Sequence, residues 1–432
     1  MQDVNRRQLI AAAAAGMAWA AAPRAFARSA HRYDALHALI DRWVAQGRVP
    51  GAALAIVRPG RFAPDYLFAG RTAFDGGTAV DARTLWRVYS MTKPVTGVAA
   101  IQQVAAGRLT LDTPVGAHLP GWSAMRVAIA PDQGLDARPA ERPVRLRHLL
   151  THTAGLTYTI AGDGPLEREY RRLGIAPTGT LAFRPGDAPV PDLQTMCARL
   201  ATLPLRTEPG RAFRYSVGLD VAGGLLERVA GVPLDLLFER QLFGPLGMRD
   251  TGWWVAERDR PRFAAAYAWQ DPATMRMREA PVRVDGPDRS DYHQKPQLLA
   301  GGAGLVSTVA DYARFAQMLL NDGQFEGRPV MPRGAARLAM SNLLEPGVFY
   351  EGNMGYGAGG LVTLFDTRAG SPTGQPAGVY GWSGAAGTRF HVDPVRQYAM
   401  VLMVQYLPPA RFPLADELQA QLNVVMESAP RA

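Results

Sequence analysis

The chain has one cysteine, Cys197, in 432 residues. An intramolecular disulfide is therefore excluded. Seven histidines are scattered along the chain, and none falls into a zinc-finger or cluster spacing. Lysine is nearly as scarce. Of 47 basic residues only Lys93 and Lys295 are lysines, so cations are written as arginine almost everywhere. Also missing is any run of about 20 apolar residues, the length needed to cross a bilayer. There is no internal repeat, which excludes solenoids and propellers. The arginines are spread rather than clustered. The formal charge of +9 thus reads as a solvated basic surface and not as a nucleic-acid footprint.

What is present fits a folded enzyme-sized chain. Apolar residues make up 47% and charged residues 20%, an ordinary globular balance. The length allows two or three structural units and a core that needs no disulfide or metal. At the N-terminus, Arg6-Arg7 precedes an alanine-rich run to Ala22, and Ala25-Phe26-Ala27 offers small residues at a cleavage site. Charged start, short apolar middle and A-x-A end read as an export signal over residues 1–27, and the paired arginines as one of the twin-arginine kind. The expected location is the periplasm, with no stable membrane insertion once the signal is removed.

Leu36, Leu39, Ile40, Trp43 and Val44 recur at helical spacing, which predicts an amphipathic helix over 31–46. Ala52–Val57 is short, apolar and bounded by turns, as a buried strand is. Tyr66–Arg71 is a second strand, and a helix is expected after Pro94. Segments 125–143 and 159–190 are rich in Pro, Gly, Asp and Arg and read as surface excursions. Thr308 and Asp311 form a capping-box pair before a helix through Leu320. Strands are expected at 355–364, 378–384, 387–393 and 398–407, then a closing helix marked by Leu414, Leu418, Leu422 and Val425. Strands thus lie at both ends with helices between. The expected class is α+β: an antiparallel sheet flanked by helices and built from the N- and C-terminal segments, with a mostly helical region inserted. This divides the chain into a sheet domain of 28–93 with 300–432 and a helical domain of 94–299.

Ser90-Met91-Thr92-Lys93-Pro94 is the chemical focus. Residues i and i+3 of a helix share a face, so the Lys93 amine can reach the Ser90 hydroxyl. Free N–H groups at a helix start favour a developing oxyanion beside that serine. A serine needs a base, and an amine serves once burial or neighbouring cations make it neutral; a guanidinium does not. A lysine solvated at a helix start is an equal alternative on spacing alone.

The flanking residues go further. Ser90-x-x-Lys93, Leu149-Leu150-Thr151-His152-Thr153-Ala154-Gly155-Leu156, Pro209-Gly210, Tyr215-Ser216, Gly301-Gly302-x-Gly304 and Gly387-Thr388 occur in order from about residue 30 to 430. Together they resemble the serine β-lactamase and penicillin-binding-protein superfamily, in its class C-like branch and closest to the family VIII carboxylesterases. The resemblance implies a β-lactamase/transpeptidase-like fold. It also implies that Ser90 is acylated, that Lys93 takes or relays its proton, and that Tyr215 moves protons to the leaving group and activates water. Taken without its neighbours, Tyr215 reads as an ordinary core tyrosine. The N–H groups of Ser90 and Ala385 would form the oxyanion hole. Trp382-Ser383-Gly384 stands where the family has its third motif.

Two departures bear on substrate. Val217 replaces the asparagine found two residues after the tyrosine in the family's β-lactamases. Trp382 replaces a lysine, giving an apolar wall instead of a carboxylate-pairing cation. Both favour a small neutral ester over an acidic β-lactam or peptide, while Arg389 on the next strand offers a replacement cation. Tyr158 is read either as a pocket residue or as a surface aromatic. The expected protein is a serine hydrolase, a carboxylesterase on small-molecule esters with no metal and no organic cofactor. The alternatives are a β-lactamase or D-alanyl-D-alanine carboxypeptidase, and a non-catalytic peptidoglycan or ligand sensor.

Other signals carry less. His148 and His152 are spaced i, i+4 but lack a third ligand. Gly381-x-Ser383-Gly384 is an incomplete nucleophile elbow. Gly355-x-Gly357-x-Gly359 has no βαβ context, so bulge glycines explain it better than a dinucleotide loop. Cys197 reads as core. Lys295 reads as a surface lysine or as a residue on the pocket rim.

Overall fold

β1 (Gly51–Val57) is buried at every position, because both faces of its strand are covered. The computed structural model describes residues 32–60, 63–176, 190–271, 274 and 276–427. The expected export segment, residues 1–27, lies outside the described residues, as do 177–189 of the second expected excursion. β1 sits within an eight-stranded antiparallel sheet. On one side it pairs with β2 (Asp65–Ala73), which is followed by β3 (Gly76–Ala79). The remaining strands come from the C-terminal part: β4 (Gly355–Tyr356), β5 (Leu361–Val362), β6 (Tyr380–Ser383), β7 (Arg389–Asp393) and β8 (Tyr398–Met403). The order across the sheet is β4-β5-β6-β7-β8-β1-β2-β3.

Alternation along β1 divides the core in two. Ala53, Ala55 and Val57 face a cluster shared with α2 (Thr92–Ala105), α3 (Gly218–Ala230) and α4 (Val309–Leu320). Ala52, Leu54 and Ile56 face α1 (Asp34–Ala45) and α5 (Leu414–Glu427). The apolar stripe of α1, Leu36, Leu39, Ile40 and Trp43, is fully covered there. Burying one such side chain stabilises the fold by about 1.5–3 kcal/mol. Thr308 caps α4 by accepting the Asp311 N–H at 3.0 Å. Asp311 does not complete a capping box; its carboxylate takes the Asp250 N–H and the Thr251 hydroxyl instead.

Three expectations are corrected. The helix expected after Pro94 begins at Thr92, with Pro94 as its third residue, where the missing N–H is one of the four without an intrahelical partner. The strand expected over 355–364 is two short strands around a glycine turn. Gly359 lies against Lys93 there, and a Cβ on it would come within 2.3 Å of the Lys93 carbonyl oxygen. The middle of the chain, expected to be mostly helical, also contains strands that the sequence did not suggest. Ala266–Gln270 and Met277–Asp285 form an antiparallel hairpin, and Tyr406–Leu407 adds to it in parallel. No helix among the described residues is long and apolar enough to cross a membrane.

Candidate active site

The strand Leu85–Arg87 pairs with Val306–Thr308 and delivers the chain to Ser90. Tyr89 takes a φ of 43°, a left-handed conformation that costs energy for an aromatic residue. Its ring is locked among Ala268, Ala386 and Leu407. Arg87, fully buried, fixes the other side. Its Nε donates to Asp285 at 2.8 Å, one Nη donates to the Ala264 carbonyl at 2.6 Å, and the guanidinium lies 3.8 Å from the Phe263 ring centroid. Ser90 follows in a 3₁₀ turn that runs straight into α2.

The three residues of the proposed trio are in mutual contact. Tyr215 Oη donates to Ser90 Oγ at 2.8 Å. Lys93 Nζ is 3.3 Å from Ser90 Oγ and donates to the Gly302 carbonyl at 2.6 Å. The same Nζ stands 4.7 Å from the Tyr215 ring centroid. Lys93 is completely buried, so the solvated-lysine alternative is excluded.

Tyr215 lies in irregular chain, and the His152–Thr157 loop holds it there. Arg214 N–H donates to the His152 carbonyl at 2.8 Å, Ser216 N–H to His152 Nδ1 at 3.1 Å, and Val217 N–H to the Thr157 carbonyl at 3.2 Å. Burial, with the nearby Lys93 charge, holds His152 well below the usual imidazole range, so the ring is neutral. Gly155 turns that loop with φ +79°, and a Cβ there would come within 2.1 Å of the Thr207 carbonyl oxygen. His148 is tied elsewhere: Nδ1 accepts the Arg145 N–H and Nε2 is 2.8 Å from Glu345 Oε1. Among the described residues no three acidic, histidine or cysteine side chains gather as a metal site.

A cleft of about 900 Å³ opens over Ser90 and Tyr215, with Trp382, Ser383, Gly384, Ala385 and Arg389 along its walls. Gly384 lies so close to Val88 that a Cβ would be 2.5 Å from the Val88 carbonyl oxygen. Ser90 and Ala385, whose N–H groups are the expected oxyanion hole, both border the cleft. Ser383 stands opposite Arg389 in the β6–β7 register, exposed on a strand and not at an elbow. Arg389 is half-buried and makes no hydrogen bond or ion pair among the described residues.

Two expected pocket residues do not border the cleft. Val217 is 1% exposed because it caps the start of α3 and packs inward. Tyr158 is 2% exposed and backs the site, its ring centroid 5.5 Å from Lys93 Nζ and 5.7 Å from the Tyr215 ring. Neither the surface-aromatic nor the pocket reading of Tyr158 holds. Lys295 is outside the cleft as well, paired with Asp235 at 2.6 Å over the Trp254 ring. Cys197 is core, against Gly224 of α3.

Sequence reasoning missed the aromatic wall. Phe213, Tyr350 and Tyr356 surround Trp382 and His152, with Phe213 and Tyr350 rings 4.8 Å apart. Their positions, scattered in sequence, carry no periodic signal. Asp220 and Gly302, packed behind Lys93, were also missed, although Gly301-Gly302 was noted as a motif.

A serine bonded by a phenol and an amine, at a helix start and in an open cleft, defines a serine hydrolase that works by acyl transfer. Comparison with known proteins agrees. The chain belongs to the β-lactamase family, whose family model matches residues 36–424. It is 32% identical over 393 residues to the esterase EstB of Burkholderia gladioli, covering 88% of this chain and 92% of that protein. It is 28% identical to a lovastatin esterase of Penicillium rubens, covering 77% and 82% of the two chains. Among solved structures, EstCE1, described as a hydrolase with promiscuous acyltransferase activity, superposes with a TM-score of 0.71 at 25% identity over 88% of this chain and 96% of that one.

Proposed function

We propose that this serine hydrolase is a carboxylesterase that cleaves small acyl esters through an acyl-enzyme on Ser90. The observation that carries the reading is the double contact on Ser90 Oγ, from Tyr215 Oη at 2.8 Å and Lys93 Nζ at 3.3 Å, in a cleft walled by Trp382. Ser90 Oγ attacks the ester carbonyl as its proton passes to the Lys93–Tyr215 pair. The Ser90 and Ala385 N–H groups meet the developing oxyanion. Tyr215 hands the proton to the departing alkoxide and then draws one from the water that releases the acid. The cleft border carries exposed apolar side chains, Ile160 at 63% and Phe349 at 46%, which suit an uncharged substrate. The esterase names of EstB and the lovastatin esterase support the same choice.

One observation favours a second reading, hydrolysis of a β-lactam or a D-alanyl-D-alanine peptide: the Arg389 guanidinium borders the cleft and makes no hydrogen bond or ion pair among the described residues, so it can meet a carboxylate. Purified protein assayed with p-nitrophenyl butyrate and nitrocefin separates the two. Ester turnover far above nitrocefin turnover is expected, and the reverse ratio overturns the first reading. Failure of a fluorophosphonate to label Ser90 would instead point to a sensor.

The same proposal includes export to the periplasm by a twin-arginine signal, supported by Arg6-Arg7, the alanine-rich run and Ala25-Phe26-Ala27. Replacing both arginines with lysine should leave the protein unprocessed in the cytoplasm; unchanged processing and location refute this part.

A further inference from the structure

The mechanism above leaves one buried acid unused. Asp220, 5% exposed, is the third residue of α3, where the helix N-terminus favours a carboxylate. Its Oδ1 accepts the Gly302 N–H at 2.8 Å, and the carbonyl of the same Gly302 accepts Lys93 Nζ at 2.6 Å. One residue therefore ties the acid to the amine. Glycine is required for this closeness. A Cβ at 302 would lie 2.6 Å from Asp220 Oδ2, and one at 301 would lie 2.5 Å from the Leu219 carbonyl oxygen.

We propose that Asp220 is a positioning residue that acts through Gly302 to aim Lys93 at Ser90 and to set how readily that amine gives up its proton. The inference rests on the acyl-enzyme reading and deepens it.

The surroundings leave these two groups to answer each other. Tyr158 and Tyr215 face Lys93 from the loops, His152 faces it from behind Tyr215, and Cys197 faces Asp220 from the Leu193–Leu200 helix. Burial keeps the Tyr158 hydroxyl and the Cys197 thiol protonated and the His152 ring neutral. Burial also pushes the Asp220 carboxyl above the usual carboxylate range, against the pull of the Lys93 charge and the Gly302 N–H. A carboxylate linked to the amine without touching it steadies the ammonium between proton transfers. A direct ion pair would hold the proton more firmly, and a purely apolar pocket would not return it.

The test is the pH dependence of Ser90 labelling by a fluorophosphonate, followed by mass spectrometry. This readout needs no knowledge of the substrate. Asp220→Asn keeps an acceptor for the Gly302 N–H and removes the charge. Its acid limb should fall about one pH unit below that of the unaltered protein, because losing a nearby negative charge eases deprotonation. Asp220→Glu should return the limb toward its original place. If Asp220→Asn does not fold, Gly302→Ala, which displaces the carboxylate, should move the limb in the same direction. Coincident limbs in a folded Asp220→Asn protein overturn the proposal. A protein that labels at Ser90 but turns over no ester refutes the esterase reading and leaves this one intact.

Discussion

Two buried cations flank Ser90, each three residues away, and they are held in opposite ways. Arg87 meets its acid directly: Nε donates to Asp285 at 2.8 Å, with both side chains 0% exposed. Lys93 and Asp220 both hydrogen-bond to Gly302, with no ion-pair contact between them among the described residues, and the Lys93 amine points at Ser90 Oγ and the Gly302 carbonyl. A guanidinium stays charged at every working pH, so a direct ion pair turns Arg87 into a fixed peg under the strained Tyr89. An amine, unlike a guanidinium, can act as a base, so the lack of a direct carboxylate partner suits the proton-relay role proposed for Lys93. The difference explains why a chain that writes nearly every cation as arginine keeps a lysine here.

The sharpest way to break this contrast is to exchange the cations. Lys93→Arg preserves charge and removes the base, and turnover should fall about 10²- to 10⁴-fold, measured as kcat/KM on p-nitrophenyl butyrate. On the other side, Arg87→Met strands Asp285 as a buried, unpaired carboxylate. It should cost about 3–5 kcal/mol in chemical denaturation, while whatever protein remains folded keeps its Lys93-dependent pH profile. A loss of the profile without loss of stability would mean that the two cations are not divided as described.

A third measurement asks whether buried neutral groups share the same logic. Burial first, then the Arg389 and Arg396 charges, press His391 down to about 3. The unfolded chain therefore binds more protons than the folded one between about pH 6.5 and pH 3. Stability is complete above the unfolded value and is lost as pH falls through that window. His391→Gln should flatten the decline between pH 7 and pH 5 in urea titrations; an unchanged slope assigns the decline to other groups, such as His152. The smallest effect belongs to the second lysine. Lys295→Ala removes an exposed ion pair with Asp235 and should change stability by under about 1 kcal/mol and leave kcat/KM unaltered. Any loss of turnover would make Lys295 more than a surface residue.

Local chemistry was legible in the sequence. The apolar run at 52–57, the stripes of α1 and α5 and the turn glycines foretold the elements, because strand and helix periods are properties of neighbouring residues. Ser90 and Lys93, three apart, foretold a shared face, and the helix starting at Thr92 keeps it despite the misplaced boundary. Tyr215 needed the family resemblance, since nothing near it in the chain marks it out. Val217 and Tyr158 were misjudged because proximity to a motif does not tell which way a side chain packs.

The sequence by itself settled which groups are available: one serine with an amine a helical turn away, arginines for all the other cations but Lys295, and apolar periods sufficient for a two-faced sheet. Only the tertiary structure decided which acid answers which cation. Arg87 and Asp285 are 198 residues apart and Lys93 and Gly302 are 209 apart, and such partners meet only when the sheet and helices have packed. Pairing across that distance depends on burial and geometry, which the order of residues does not display.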